Sequence, residues 1–379
     1  MLPAASTGEA ATRPPVASEE GSAGVSGSDA DSLDGGVTDL NRRVLVTGGA
    51  GFIGSNLVDA LVARGDTVTV LDDLSTGRQE NLAEAGPGVR FLQGSILDRP
   101  LVESLLADVD TVYHLAVRCL RVCFDRPHLV HEVNATGTLN VLEALRQHNP
   151  SLRRFVYVSS SEIYGTSQTD LMSEDHVLEP TTVYGSSKLA GELYTRNYYS
   201  TYGLPTTIVR PFNTYGPREH HEGASGEVIP RFLVRILNGQ APVIFGDGSQ
   251  ARDFTYVTET VEGILRVAEA DLLGQTVNVA RGQDVSIRRI AELLLELLDV
   301  RSLGIEHAPE RPSDVLRHHA DVSKLERLTG WRPTIDIEEG LRRYVDWFRR
   351  QYDRPEELLD AVPGRNWQVP QPDRKPVAP

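Results

Sequence analysis

The residues best placed to do chemistry fall in two short runs. Tyr184-Gly185-Ser186-Ser187-Lys188 lies within a helical pattern, and four-residue spacing puts Tyr184 and Lys188 on one helix face. Earlier, Ser159-Ser160-Ser161-Glu162 follows a β-rich run, Arg154–Ser159. A tyrosine titrating near about 10 is a poor base at neutral pH, and a neighbouring ammonium stabilises its phenolate. A phenolate can act as a general base. Alone, a Tyr–Lys pair at this spacing is an ordinary surface pair. Here the lysine is a scarce residue: of 38 basic side chains only Lys188, Lys324 and Lys375 are lysine.

A third run concerns binding. The short strand pattern Arg43–Thr47 leads into Gly48-Gly49-Ala50-Gly51-Phe52-Ile53-Gly54, which opens an amphipathic helix. Gly48, Gly51 and Gly54 would give a tight strand-to-helix turn, and the helix N-terminus offers free N–H groups to a pyrophosphate. A second strand, Thr67–Leu71, runs into Asp72, 18 residues beyond Gly54. That is close to the spacing of about 20 expected for a carboxylate that accepts hydrogen bonds from an adenosine ribose. Asp72 and Asp73 together would repel a 2′-phosphate, so the pattern predicts NAD rather than NADP.

These runs need a scaffold. Further strands are expected at Val89–Leu92, Thr111–Leu115, Arg154–Ser159 and Pro205–Arg210, with helices between them at Phe52–Arg64, Val130–His148 and Val183–Tyr202. Strands alternating with helices imply right-handed βαβ units and a Rossmann-type α/β fold, a doubly wound parallel sheet. After Pro211, Gly-, Pro- and Arg-rich loops predict a smaller C-terminal substrate-binding lobe. The expected organisation is a disordered acidic tail at 1–40 and an NAD-binding domain at 42–212, to which segments near 255–282 return. The substrate lobe covers 213–350, and 355–379 is expected to be a loose tail, Pro-rich from Val362.

Composition excludes several classes. The net charge is −15, which argues against nucleic-acid backbone binding by the surface as a whole. Residues 1–40 hold seven acids and one base, so part of that charge belongs to the tail. No apolar run approaches the ~18 residues of a membrane helix, and the start lacks a secretory pattern. With only Cys119 and Cys123 there is no disulfide framework. These features predict a soluble cytoplasmic protein. The two cysteines lie one helical turn apart, but His220-His221 and His318-His319 are adjacent pairs, so no metal site is expected.

TGGAGFIG at 47–54, YVSSSEIYG at 157–165, YGSSK at 184–188 and RPFNTYGPR at 210–218 together resemble the extended short-chain dehydrogenase/reductases. Within that superfamily the chain is similar to the NAD-dependent epimerase/dehydratase family acting on nucleotide sugars, from about residue 42 to about 350. The resemblance implies that Tyr184 is the base at the sugar C4 hydroxyl, that Lys188 binds the nicotinamide ribose and depresses the tyrosine pKa, and that Ser160 hydrogen-bonds the same sugar oxygen. It implies cofactor contacts from Phe52, Ile53, Ile96, Leu115 and Ala116 as well as the glycine loop. It implies substrate contacts from Asn213, Arg252 and Arg311, the arginines suiting a diphosphate. Homodimers built on a helix pair that includes Val183–Tyr202 are implied by the same analogy. There are two departures. Ser95 replaces an aspartate that often contacts adenine. Arg118 and Arg121 replace small residues beside the sugar site; they are expected to point outward, the alternative being an acidic-sugar site.

The implied first step is oxidation at C4 to a 4-keto sugar. Glu162, two positions after Ser160, resembles the residue that serves at C5 in dehydratases and decarboxylases. Ser161 replaces the aspartic acid of many 4,6-dehydratases, and YGSSKLAGE at 184–192 resembles the epimerase version of its helix. The sequence favours a C4 epimerase, with a 4,6-dehydratase or a UDP-glucuronate-type decarboxylase as alternatives. A simple alcohol dehydrogenase that releases its reduced cofactor each cycle is also considered. A non-catalytic NAD-binding scaffold is the remaining class, and the Tyr184–Lys188 pair argues against it.

Overall fold

The computed structural model describes residues 41–368; the acidic stretch 1–40 and residues 369–379 lie outside the described residues. The strands are β1 (Arg43–Thr47), β2 (Thr67–Asp72), β3 (Arg90–Gln93), β4 (Thr111–His114), β5 (Arg154–Val158), β6 (Thr206–Pro211), β7 (Asn213–Tyr215), β8 (Val243–Phe245), β9 (Ala251–Tyr256), β10 (Thr276–Val279), β11 (Asp284–Ser286) and β12 (Glu306–Ala308). The helices are α1 (Phe52–Ala63), α2 (Arg99–Leu106), α3 (Pro127–His131), α4 (Thr138–His148), α5 (Val183–Tyr202), α6 (Val228–Leu237), α7 (Val257–Glu269), α8 (Ile287–Leu297), α9 (Ser323–Thr329) and α10 (Ile337–Gln351).

Seven strands form one sheet in the order β10-β6-β5-β4-β1-β2-β3, and every neighbouring pair is parallel. Its inner strands are apolar along their length because both faces are covered. Val44, Leu45 and Val46 of β1 are all buried. On one face α1 and α7 supply Leu57, Leu61, Ile264 and Val267 to a core with Val46 and Val70. On the other, α2 and α4 supply Val102, Leu106, Val141 and Leu145 against Leu45 and Phe155. The chain winds outward from β1 to β3 and then restarts at β4 on the other side of β1. That reversal opens a crevice at the carboxyl ends of β1 and β4, where such sheets bind ligands.

The remaining strands form a three-stranded sheet, β11-β9-β7, and a pair, β12-β8. With α6, α8 and α10 they enclose a second core around Phe232, Ile290, Leu294, Tyr344 and Phe348. The expected helix at 130–148 is interrupted. Residues Glu132–Gly137 form a π-helical turn between α3 and α4, which brings Asn134 inward. Residues 355–367 are not loose. Pro355–Ala361 forms a 3-10 turn, and Leu358, Leu359 and Val362 pack against the second core.

The helix α5 lies close against the sheet. A Cβ on Gly191 would come within 2.4 Å of the Tyr157 hydroxyl, which donates to the Lys188 carbonyl at 3.0 Å. Farther along α5, the fully buried Glu192 carboxylate accepts from Arg210 Nη2 at 2.6 Å, Arg210 Nε at 3.1 Å and Ser159 Oγ at 2.8 Å. Burial alone would raise the Glu192 pKa, but the Arg210 bonds and charge more than reverse this and hold it low. Removing Arg210 would take away the only fully buried cation on this carboxylate and leave it Ser159 and the partly exposed Arg196, whose Nη2 donates to Oε1 at 2.7 Å. Arg210→Met is therefore expected to destabilise the fold by about 3–5 kcal/mol, read as a drop in the chemical-denaturation midpoint. A midpoint equal to wild type would show that the pair does not hold α5 to the sheet.

Candidate active site

One cavity of about 400 Å³ runs from the glycine turn to the second lobe. At its sheet end, Gly48 follows β1 with φ +72°. A side chain there would meet the Ala116 amide nitrogen at 2.7 Å, and a Cβ on Gly54 would lie 2.1 Å from the Gly48 carbonyl oxygen. The turn therefore tolerates only hydrogen at these points, and it leaves the N-terminus of α1 open to the cavity. Gly51, Phe52, Ile53, Leu115 and Ala116 line the same end.

Asp72 ends β2 and is buried. Its Oδ2 accepts from Ala50 N at 3.0 Å and its Oδ1 from Leu74 N at 2.9 Å. Burial pushes its pKa up while these two bonds oppose that. Each oxygen retains lone-pair capacity for a ribose hydroxyl. Asp73 also lines the cavity, but its charge is shared with Arg118, whose Nη2 donates to it at 2.7 Å. The doubled repulsion expected of the Asp72-Asp73 pair is thus offset at Asp73. Ser95 Oγ accepts from Leu97 N at 3.2 Å, and Ile96 is buried beside it. A helix N-terminus, a turn closed to side chains and a ribose-grade carboxylate at this spacing fit a dinucleotide.

In the middle of the cavity the two reactive runs meet. The Ser160 backbone is extended and caps a 3-10 turn, its Oγ accepting from Glu162 N at 3.2 Å. Ser160, Glu162, Tyr184 and Lys188 all line the cavity. Lys188 is 3% exposed; its Nζ donates to the Val158 carbonyl at 2.6 Å and sits 4.4 Å above the Tyr157 ring. Burial lowers it to about 7, although the Glu192 charge opposes the shift. The Tyr184 phenol is raised rather than depressed. Burial dominates, the hydrogen bond with Ser160 opposes it, and the charges of Glu162, Cys119 and Glu227 add to it. Lys188 Nζ is engaged by the Val158 carbonyl, and its charge is not among the influences on Tyr184 in this arrangement. Glu162 is raised by burial, with Arg252 and Arg311 opposing.

At the far end, Arg252 and Arg311 face the cavity and share one acceptor, Asp314 Oδ1, with Arg252 Nη2 at 2.8 Å. Asn213 is at the cavity wall with its Oδ1 buried and unpartnered. The outward orientation expected of Arg118 and Arg121 is not what the structure has. Both line the cavity. Arg121 is 7% exposed because it clamps the loop before α6, donating to Ala224 O at 2.6 Å, Ser225 O at 3.0 Å and Glu227 Oε1 at 2.6 Å.

Three contributors were not legible in the motifs. Asp314 aligns two arginines, and only its place in the ERPSD run hints at it. Arg231 of α6 lines the cavity with Nη1 buried and unpartnered. Asn134, in the π-helical turn, accepts from the Arg118 amide at 2.8 Å and donates to Ser187 Oγ at 3.0 Å, tying that loop to α5. Helix irregularities of this kind often mark functional sites, but periodicity cannot detect one. Cys119 is half-buried and Cys123 buried, both free. Among the described residues no group of three or more His, Cys, Asp or Glu is placed to hold a metal ion, and no helix is long and apolar enough to cross a membrane.

The fold has counterparts among known proteins. The family described as GDP-mannose 4,6 dehydratase matches residues 45–344. The chain belongs to this family, within the extended short-chain dehydrogenase/reductases. A putative UDP-glucose 4-epimerase from Methanocaldococcus jannaschii is 36% identical, over 81% of this chain and 98% of that protein. UDP-glucuronic acid decarboxylase 1 from Arabidopsis thaliana is 34% identical, over 83% of this chain and 72% of that protein. A dTDP-glucose 4,6-dehydratase from Streptomyces venezuelae, solved with NAD bound, superposes with a TM-score of 0.78 at 33% identity, covering 82% of this chain and 98% of that one. All three relatives are nucleotide-sugar enzymes, and they span three reactions.

The glycine turn yields a direct test. Gly54→Ala forces a Cβ against a backbone oxygen, so we expect a loss of about 1–3 kcal/mol in stability and NAD binding at least about tenfold weaker, equivalent to about 1.4 kcal/mol. Thermal unfolding and calorimetric titration read the two effects. Unaltered NAD affinity in a folded variant would disprove the cradle.

Proposed function

We propose that this protein is an NAD-dependent enzyme that interconverts nucleotide sugars at C4 through a 4-keto intermediate. The observation that carries this reading is the convergence of Ser160, Tyr184 and Lys188 in the cavity that also holds the glycine turn and the paired arginines. When bound, NAD would accept a hydride from the sugar and return it. Gly48, Gly51, Gly54 and the N-terminus of α1 would hold its pyrophosphate, and Asp72 its adenosine ribose. Tyr184 would take the C4 hydroxyl proton, with Ser160 hydrogen-bonded to the same oxygen. Lys188 would hold the nicotinamide ribose. The positive charge of bound NAD would lower the phenol that burial now raises. Arg252 and Arg311, aligned by Asp314, would grip the diphosphate, and Asn213 would contact the substrate near it.

Epimerisation is favoured over 4,6-dehydration at Ser161. This side chain is 4% exposed and carries a hydroxyl where elimination of water from C6 needs an acid. One observation supports the second reading. Glu162, its pKa raised inside the same cavity, could serve at C5 in a dehydration or decarboxylation. We also propose a homodimer through α4 and α5, which expose Leu139, Leu193, Tyr199 and Tyr202.

Two measurements test this reading. Tyr184→Phe should fold and bind NAD yet lose turnover by roughly 10²–10⁴-fold; near-normal turnover would sink the mechanism. Products from a panel of nucleotide sugars, followed by mass spectrometry and NMR, separate the reactions. An isomer of unchanged mass supports the epimerase, loss of water the dehydratase, and loss of carbon dioxide the decarboxylase.

A further inference from the structure

The family match ends at residue 344, within α10, but the chain goes on to build part of the cavity wall. After α10 it is fastened to the second lobe at successive points. Asn238 Nδ2 donates to the Pro355 carbonyl at 2.9 Å, and Leu358, Leu359 and Val362 pack into the lobe's core. Arg231 Nη2 donates to the Pro363 carbonyl at 2.8 Å. Asn366, 8% exposed, donates through Nδ2 to the Gly226 carbonyl at 2.7 Å. Trp367 then meets Phe245 of β8 edge to face, with ring centroids 4.6 Å apart and planes at 76°.

Asn366, Trp367 and Phe245 all line the cavity. The aromatic corner adjoins the arginines. Gln250, two residues before Arg252, donates to the Phe245 carbonyl at 2.7 Å. In an edge-to-face pair, the ring that offers its edge does not have its faces covered by that partner, and Trp367, half-buried at the cavity wall, can receive a planar group by stacking. A nucleoside diphosphate is a planar base joined to a compact anion, and this end of the cavity offers aromatic rings beside cationic donors. Arg231 links the two, since its Nη2 holds the strap while its Nη1 is buried without a partner.

We propose that the strap Pro363–Trp367 completes the substrate site and that Trp367 is a substrate-binding residue, stacking on the nucleobase of the nucleotide sugar. The inference rests on the functional reading above, and it adds a contact from outside the family-matched region. Stacking of a base on an aromatic side chain is sequence-tolerant and substantial. A base contact of this kind lowers KM and leaves the reacting carbon untouched.

The test uses the full chain and compares UDP with inorganic pyrophosphate, which has the anion but no base. Trp331 and Trp347 pack against the two cores, so a change of tryptophan emission on adding UDP reports chiefly on Trp367. UDP is expected to alter emission of the wild type. Trp367→Leu should lose that response and bind UDP about tenfold or more weakly by calorimetry, with pyrophosphate binding unchanged and Trp367→Phe restoring most of the affinity. In turnover the Leu variant should raise KM by a similar factor, with kcat little altered. UDP affinity equal to wild type would overturn the proposal, as would an equal loss of UDP and pyrophosphate. If Trp367→Leu does not fold, Asn366→Ala frees the strap and carries the same comparison: selective loss of UDP supports the proposal, and equal or unchanged binding of both ligands overturns it. Should the wild type bind no nucleoside diphosphate from a panel of UDP, dTDP, GDP, CDP and ADP, the functional reading itself fails. That outcome is distinct from a wild type that binds UDP and a Trp367→Leu variant that binds it equally.

Discussion

The site depends on how closely α5 is held against β5 and β6. Tyr184 and Lys188 act from one face of that helix, while Ser160 comes from the loop that β5 feeds. Their relative placement is therefore a matter of helix-to-sheet distance. Gly191 permits the approach, and the Glu192–Arg210 pair makes it specific. Glu192 also binds Ser159, so one carboxylate orders both the helix and the start of the serine run. The network extends outward: Arg210 Nη1 meets the Tyr164 hydroxyl at 2.6 Å, and Tyr164 donates to Asn278 of β10 at 2.7 Å. A buried pair of this kind is costly to desolvate and is a weak argument for overall stability. Its value here is geometric, because few alternative packings would satisfy all of its donors.

The same economy governs charge. The chain is acidic overall, yet Arg231, Arg252 and Arg311 line the cavity. Asp314 and the Pro363 carbonyl hold these guanidinium groups and the strap in register. Anion affinity in this protein is a property of a few aligned donors, not of the surface. Arg118 and Arg121 illustrate the converse. They sit at the cavity wall, with Arg118 paired to Asp73 and Arg121 to Glu227 and loop carbonyls, while Arg118 Nε is buried without a partner.

Much of this arrangement is legible in the amino-acid sequence. Alternating strand and helix signals predict the sheet, and the boundaries differ by only a residue or so: the strand expected at Val89–Leu92 is Arg90–Gln93, and that expected at Pro205–Arg210 is Thr206–Pro211. The glycine turn, Asp72 and the Tyr184–Lys188 pair can be read because each depends on local spacing, whereas Ser160 meets that pair only through the fold. The π-helical turn at 132–137 cannot, since a continuous apolar stripe reads as an unbroken helix. The orientation of Arg118 and Arg121 cannot either, because it is decided by Asp73 and Glu227, which are distant in sequence. The segment after α10 reads as loose because Pro and polar residues dominate it; its order comes from contacts with Asn238, Arg231, Gly226 and Phe245 on other elements.

The sequence by itself determined the chemistry available: a dinucleotide turn, a tyrosine one helical turn from a lysine, a hydroxyl run and arginines suited to a diphosphate. These are short-range facts, set by residue type and by the periods of helix and strand. Only the tertiary structure decided which of those groups share one cavity and what their surroundings do to them. Burial raised Tyr184 and lowered Lys188, effects that local spacing does not show. Proton affinity depends on desolvation and on charges brought close by folding, and neither is written in local spacing. For the same reason, only the folded chain could place Trp367 beside Phe245.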